Sequence, residues 1–115
     1  MKTQIVSALP QVVDIGLYRG DDFFIDIEIF EPTGEATDLS SVEVLAQIRD
    51  SPDSDLVIAV FDSVIEDNVI HLHLTSAEST KLILEANWDC QTDTNGLIQT
   101  HARGKISPTL DVSRV

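Results

Sequence analysis

Hydrophobic and polar residues alternate along three segments of the chain. A period of two is typical of a strand with one buried and one exposed face. A fourth segment, Leu56 to Phe61, is continuously apolar over the length of a strand. Turn-forming residues such as Pro32 and Gly34 lie between the segments, so the pattern predicts four separate strands. The three alternating segments are Asp22 to Phe30, Val42 to Arg49 and Val69 to Leu74.

One segment has the signature of a helix start. Thr75-Ser76-Ala77-Glu78 matches a capping box, in which the Thr hydroxyl and the Glu carboxylate accept bonds from free backbone amides. We expect a short helix over residues 76–84. Farther along, Asn95-Gly96 is a favoured two-residue hairpin turn. It predicts a hairpin between strands at 87–93 and 97–106.

These elements predict the fold class. Short strands about ten residues apart, with turns between them and one brief helix, are typical of an all-β antiparallel sandwich or barrel. We place this single domain at residues 15–106. Pro10 and Pro108 lie near the two ends of the chain, where residues 1–14 and 107–115 are expected to form N-terminal and C-terminal arms or edge strands.

Composition and charge exclude several classes of protein. Of the 115 residues, 43% are hydrophobic, which is enough to fill the core of one small domain and argues against disorder. The formal net charge of −13 repels phosphate backbones and anionic lipid headgroups, so neither a nucleic acid nor a membrane is an expected partner. No apolar run has the length of a membrane span or of a signal peptide. The single Cys90 cannot form an intramolecular disulfide.

Histidines and aspartates offer two candidate metal sites. His71 and His73 share one face of a predicted strand, which suits a pair of metal ligands, with His101 as a third. The alternative is that both histidines face solvent, which strand alternation favours. The loop that contains Asp50, Asp53 and Asp55 offers carboxylates to calcium but lacks the twelve-residue Gly-containing ligand loop, and a solvated acidic loop is the favoured interpretation.

Two further features have a functional and a structural interpretation. Arg19-Gly20-Asp21 occurs in some adhesion ligands, but Gly followed by Asp before a strand is ordinary turn chemistry. Cys90 lies beside Asp89, whose charge disfavours a reactive thiolate, so we expect a buried structural cysteine. No nucleophile elbow, phosphate loop or dinucleotide fingerprint occurs. The sequence therefore predicts a protein that is not an enzyme and has no metal or cofactor.

Eight segments follow one another in an order that is typical of a known family: Leu17 to Phe23, Pro32 to Ser40, Val44 to Arg49, Leu72 to Leu84, Asn87 to Gln91, Thr94 to Thr100, Gly104 to Ile106 and Asp111 to Arg114. This order resembles small virion proteins of tailed bacteriophages and the amino-terminal domains of phage baseplate upper proteins. The resemblance covers residues 15–115 and implies an immunoglobulin-like β-sandwich that holds virion subunits together without catalysis. Departures occur at Glu85-Ala86-Asn87, where the family commonly has Gly, and at Trp88, where it has Tyr.

The leading hypothesis is a structural protein of the virion, made in the host cytoplasm. It would act as a capsid decoration or cement protein, or as a neck, baseplate or fibre adaptor. Its expected partners are major capsid or tail and baseplate subunits and further copies of itself. The apolar residues of the arms, which have no assigned core role, are the expected contacts: Ile5, Val6, Leu9, Val12 and Leu110.

Two other functions would use different residues. A carbohydrate-binding module for a host-surface polysaccharide would use aromatic platforms, for which Tyr18 and Trp88 are the candidates. A small metal-dependent enzyme would use His71 and His73. The carbohydrate-binding module is the alternative to the virion hypothesis.

Overall fold

The computed structural model describes residues 2–7, as backbone, and residues 11–109. These residues form ten strands and one short helix. Their bounds are β1 Lys2–Ser7, β2 Gln11–Val12, β3 Ile15–Tyr18, β4 Phe23–Ile29, β5 Glu43–Arg49, β6 Val57–Val60, β7 Asp62–Glu66, β8 Val69–Leu74, α1 Ser76–Ser79, β9 Ala86–Thr94 and β10 Leu97–Thr109.

The strands form two sheets that pack on each other as a sandwich. One sheet has the order β1-β4-β8-β7, and the other has the order β2-β10-β9-β5-β6 with β3 also paired to β10. Central pairs are antiparallel, whereas β1 with β4 and both β2 and β3 with β10 are parallel. The two orders correspond to the A-B-E-D and G-F-C sheets of immunoglobulin domains. The prediction of an immunoglobulin-like β-sandwich with one short helix is confirmed.

The core lies between the inner faces of the two sheets. Ile25 and Ile27 of β4 and Leu72 of β8 are at most 1% exposed, as are Ile48 of β5 and Ile106 of β10 on the other side. Each occupies an inward position of its strand, which is why the period-two pattern located β4, β5 and β8. Burying one such side chain stabilises the fold by about 1.5–3 kcal/mol.

The predicted hairpin is confirmed. Asn95 and Gly96 both have positive φ, 53° and 91°, as the two central residues of a type I′ turn require. The Gly96 amide donates a hydrogen bond to Asp93 Oδ1 at 2.8 Å. β9 and β10 pair from this turn down to Ala86 opposite Ile106, with one register shift between Thr100 and Ala102. This hairpin forms the centre of the six-stranded sheet.

The helix begins where the sequence predicts but is shorter. Thr75 Oγ1 accepts the Glu78 amide at 3.2 Å, which is the first half of the capping box. The Glu78 carboxylate instead accepts the Val60 amide and pairs with Lys81. Because Leu82 is buried at 1% exposure, the chain turns into the core after Ser79 rather than continuing as a helix to residue 84.

The ends of the described chain belong to the sheets. β1 pairs with β4 from Lys2 opposite Phe24 to Ser7 opposite Ile29. β10 runs on to Thr109 and pairs there with Tyr18 of β3. The strands therefore continue past residues 15 and 106: residues 2–7 form an edge strand of one sheet, and residues 107–109 continue β10 beside β3. In the described part of the chain, no helix has the length and apolar character needed to cross a membrane.

A close backbone contact fixes the segment that follows β2. The Val13 amide donates to the Arg103 carbonyl at 2.7 Å, and the Val13 carbonyl accepts Trp88 Nε1 at 2.8 Å. Gly104 lies beside this segment, and a Cβ at position 104 would stand 1.9 Å from the Val13 carbonyl oxygen. Only glycine therefore allows the chain to approach β10 so closely.

Candidate functional site

The outward positions of β4, β8 and β7 form a surface that we call the acidic face. Strand register places Phe24, His73 and Asp62 in one row across it and Asp26, His71 and Val64 in the next. A third row contains Glu28, Val69 and Glu66. These outward positions contain four carboxylates and two histidines and no Lys or Arg.

Each histidine of the acidic face bonds a carboxylate. His71 Nδ1 lies 2.7 Å from Asp26 Oδ1, and His73 Nε2 lies 2.7 Å from Asp22 Oδ1. The bond from His73 lowers the pKa of the Asp22 carboxyl. The His73 ring also stacks on Phe24, with centroids 4.3 Å apart. Both histidines line a groove of about 620 Å³ on this face.

The histidines do not converge on a metal site. His101 is on β10 in the opposite sheet, so the candidate third ligand does not lie beside His71 and His73. Alternation explains why, since His71 and His73 lie on the outer side of β8 while the core lies between the two sheets. Within the described residues, no group of three or more His, Cys, Asp or Glu side chains has a geometry that would hold a metal ion. Asp50, Asp53 and Asp55 are exposed.

The outward positions of β10, β9 and β5, together with Val12 of β2 and Val60 of β6, form a second surface that we call the mixed face. It contains a cleft of about 520 Å³ whose lining includes the cations Arg49, Arg103 and Lys105 and the carboxylates Asp14 and Asp89. The whole chain has seven Lys and Arg residues, so three of them lie in this one cleft. Asp89 lies between Gln47 and Arg103 in the strand register. Burial raises the pKa of the Asp89 carboxyl, and the charge of Arg49 opposes that shift.

The cationic cleft was not identified from the sequence. Arg49 and Arg103 are 54 positions apart and come together only through the pairing of β9 with both β5 and β10. Arg49 falls at a polar position of the alternating pattern in its strand, which indicates that its side chain faces outward. The same pattern does not locate Arg103, because the register shift between Thr100 and Ala102 reverses the alternation of inward and outward residues along β10.

The tripeptide Arg19-Gly20-Asp21 forms a fixed turn. The Asp21 amide donates to the Tyr18 carbonyl at 3.1 Å, and Gly20 has a φ of 95°. The buried Ser79 hydroxyl accepts the Gly20 amide at 2.9 Å and donates to the Asp21 carbonyl at 2.8 Å. These hydrogen bonds hold the turn between β3 and β4 against the helix, which supports the interpretation of the tripeptide as an ordinary turn.

Two residues considered for chemistry or binding lie in the core. Cys90 is 0% exposed, and burial together with the nearby Asp89 charge raises the pKa of its thiol to about 12. This confirms a buried structural cysteine, because the thiolate is the reactive form. Trp88 is 2% exposed and therefore presents no platform to a sugar, whereas Tyr18 is 58% exposed.

The predicted contact residues lie in different parts of the structure. Val12 is 68% exposed on the mixed face and pairs with Arg103 in the strand register. Ile5 and Val6 belong to β1, where their backbones pair with Ile27 and Glu28. The predicted contacts Leu9 and Leu110 lie outside the described residues.

The burial of His101 is expected to make the free energy of unfolding depend on pH. His101 is half-buried, with Nε2 2.7 Å from the Thr92 hydroxyl, and burial lowers its pKa from the ordinary value near 6.5. The unfolded chain therefore binds more protons than the folded chain just below pH 6.5, so the free energy of unfolding falls as the pH falls through that value. We expect His101→Gln to show a smaller fall in Tm between pH 7.5 and 5.5 than the unmodified chain, measured by circular dichroism. An equal fall in both proteins would contradict this assignment.

The chain matches no protein-family model, and no curated protein matches its sequence. It is similar in structure to the N-terminal domain of phage TP901-1 ORF48, with a TM-score of 0.47, 9% identity, and coverage of 96% of this chain and 98% of that chain. The M1 domain from titin has a TM-score of 0.42 and 12% identity, with coverage of 98% and 95%. An extracellular fragment of Novel Immune-Type Receptor 11 from Ictalurus punctatus has a TM-score of 0.42 and 13% identity, with coverage of 100% and 90%.

Proposed function

We propose that the chain is a non-enzymatic structural protein of a tailed-phage virion, where it holds neighbouring subunits together. The virion assignment is supported by the resemblance of residues 15–115 to small phage virion proteins. The observation that carries the structural role is the acidic face, which combines exposed Phe24 and Val64 with carboxylates and has no outward Lys or Arg on β4, β8 or β7. Such a surface is complementary to a basic, partly apolar patch on another subunit.

The geometry of the acidic face suits docking better than catalysis or sugar binding. Its apolar residues Phe24 and Val64 are 42% and 65% exposed, and the charged Asp62 and Glu66 flank Val64 on β7. Apolar side chains surrounded by a charged rim are typical of protein interfaces. β7 is also an edge strand, so a neighbouring strand can add to the sheet beside it.

The number of copies in a particle distinguishes the candidate locations. We would quantify the chain by mass spectrometry in purified particles, calibrated against the major capsid and tail-tube proteins. Copies in the hundreds would indicate a capsid decoration or cement protein, and copies up to a few dozen would indicate a neck, baseplate or fibre adaptor. Absence from particles would contradict the proposal.

Charge reversal on the acidic face tests the docking surface itself. Asp62→Lys combined with Glu66→Lys places cations where a basic partner is expected, and like charges across an interface are repulsive. We expect at least a tenfold loss of incorporation into particles, which corresponds to about 1.4 kcal/mol. The readout is copies per particle relative to the unmodified chain.

The matched control changes the net charge equally at another place. Asp53→Lys with Asp55→Lys alters two exposed carboxylates of the loop between β5 and β6. We expect this variant to be incorporated normally. Equal loss in both variants would mean that net charge, rather than the acidic face, controls assembly, and normal incorporation of both would exclude the face as the contact.

A further inference from the structure

The mixed face has a regular arrangement of side chains that strand register defines. Directly opposed residues on paired strands share a face, so four rows cross β10, β9 and β5. The first row is Lys105, Asn87 and Arg49; the second is Arg103, Asp89 and Gln47, flanked by Val12 and Val60; the third is Thr100, Gln91 and Leu45; the fourth is Ile98, Asp93 and Glu43.

Charge is separated between the two ends of the mixed face. Arg49 and Lys105 lie at the end where Asn87 is located, and Glu43 lies beside Asp93 at the other. Asn87 and Asp93 are six positions apart on β9, which corresponds to roughly 20 Å along the strand. Within these rows, one end therefore carries two cations and the other two carboxylates, although Lys105 also pairs with Glu85 at 3.6 Å.

Apolar side chains accompany this separation of charge. Leu45 is 50% exposed near the middle of the face, and Ile98 is 55% exposed at the anionic end. Val12 and Val60, at the two flanks, are 68% and 40% exposed. None of these side chains has a core role, and apolar area that is surrounded by charge marks an interaction surface.

We propose that the mixed face binds the mixed face of a second copy of this chain in a two-fold symmetric dimer. The two-fold axis lies in the interface, perpendicular to the strands. It places the row of Arg49 of each copy over the row of Glu43 of the other copy. The apolar Leu45 then meets the second row of the other copy. Two-fold interfaces require such self-complementary surfaces, because each patch contacts the same patch of its partner.

Charge complementarity selects a second copy as the occupant. The outward positions of β5, β9 and β10 carry three cations, Arg49, Arg103 and Lys105, and three carboxylates, Glu43, Asp89 and Asp93. The charges at these strand positions therefore sum to zero in a chain whose net charge is −13. The acidic faces of two copies repel each other, so the mixed face is where two copies meet with the least repulsion.

The size of the mixed face sets the expected affinity. Four to five strands about 4.8 Å apart and four rows give a patch of roughly 20 Å by 20 Å, or about 400 Å² per copy, which is smaller than stable specific interfaces and in the range of weak, transient ones. We expect a reversible dimer that becomes populated with concentration rather than a permanent one. The inference is separate from the virion assignment, because self-association is measured on the purified chain alone.

Sedimentation velocity on the purified chain tests the proposal. Between about 5 and 500 µM protein we expect the weight-average mass to rise from monomer towards dimer, as weak association predicts. Leu45→Asp places a carboxylate in the interface and is expected to leave a monomer throughout. Val64→Asp makes the same change on the acidic face and is expected to dimerise normally. A monomeric unmodified chain, or a dimer that is lost in Val64→Asp and kept in Leu45→Asp, would overturn the proposal.

Charge exchange tests the two-fold pairing. Arg49→Glu makes both cross-copy pairs repulsive, and so does Glu43→Arg, so each variant alone is expected to be monomeric. A mixture of the two restores attraction in both pairs, and we expect a mixed dimer. Because Arg49 Nη1 also donates to the Ser54 carbonyl at 2.7 Å, thermal melting of each variant verifies that it is folded. Folded variants that form no dimer on mixing would exclude this arrangement.

Discussion

Replacing Gly104 with alanine is expected to lower the free energy of unfolding by about 3 kcal/mol, at the upper end of the cost of inserting a methyl group into a packed site. The new Cβ would stand 1.9 Å from the Val13 carbonyl oxygen, which is backbone and cannot rotate away. Relief of this clash requires the segment around Val13 to separate from β10, which breaks its hydrogen bonds to Arg103 and Trp88.

Thermal and denaturant unfolding would measure this effect. For a domain of this size, about 3 kcal/mol corresponds to a fall in Tm of roughly 10–15 °C. Trp88 is the sole tryptophan, so its fluorescence also reports whether the Val13 segment has moved. Gly16→Ala is the control, because a Cβ there meets nothing within 4 Å. A Gly104→Ala protein as stable as Gly16→Ala would show that the backbone contact is not tight.

Strands that contribute one face to the core were predictable because burial leaves a local record in the sequence. The alternation from Asp22 to Phe30 located β4 to within a residue at each end, and the segment ending at Arg49 located β5 equally well. The turn between β9 and β10 was predictable for another local reason, since Asn and Gly tolerate positive φ. In each case the structure depends on residues that are close together in the sequence.

Elements whose stability comes from distant residues were missed or misplaced. β7 is exposed over most of its length and exists through its pairing with β8. The N-terminal segment contains apolar residues, but nothing local indicates that Lys2–Ser7 pairs parallel to β4. The helix was predicted too long because the capping box marks its start, whereas its end depends on burial of Leu82 against strands far along the chain.

The two candidate interaction faces could be predicted only in part. Alternation indicated that His71 and His73 face outward, and the structure places them half-exposed on the acidic face. The mixed face depends on the order of strands in the sheet, which brings Arg49 and Arg103 into one cleft. A single sequence does not encode strand order in any local pattern, so the separation of charge along that face becomes visible only once the pairing of β5, β9 and β10 is known.

The second large effect is expected at Trp88. This side chain is 2% exposed, packs on Phe61 with ring centroids 5.9 Å apart, and donates from Nε1 to the Val13 carbonyl at 2.8 Å. Trp88→Ala removes the ring from the core and is expected to lower the free energy of unfolding by about 3–5 kcal/mol. Trp88→Phe keeps much of the packing but removes the donor, with an expected cost of about 1–3 kcal/mol.

Urea unfolding followed by circular dichroism separates these two contributions, since neither variant retains the tryptophan fluorophore. Tyr18→Ala is the control, because Tyr18 is 58% exposed and surface substitutions of this kind usually change stability by no more than about 0.5 kcal/mol. The same three variants show whether Trp88 stabilises the core or is instead available to bind a ligand. If Trp88→Ala were as stable as Tyr18→Ala, the indole would contribute no packing, and its position between the sheets would need another explanation.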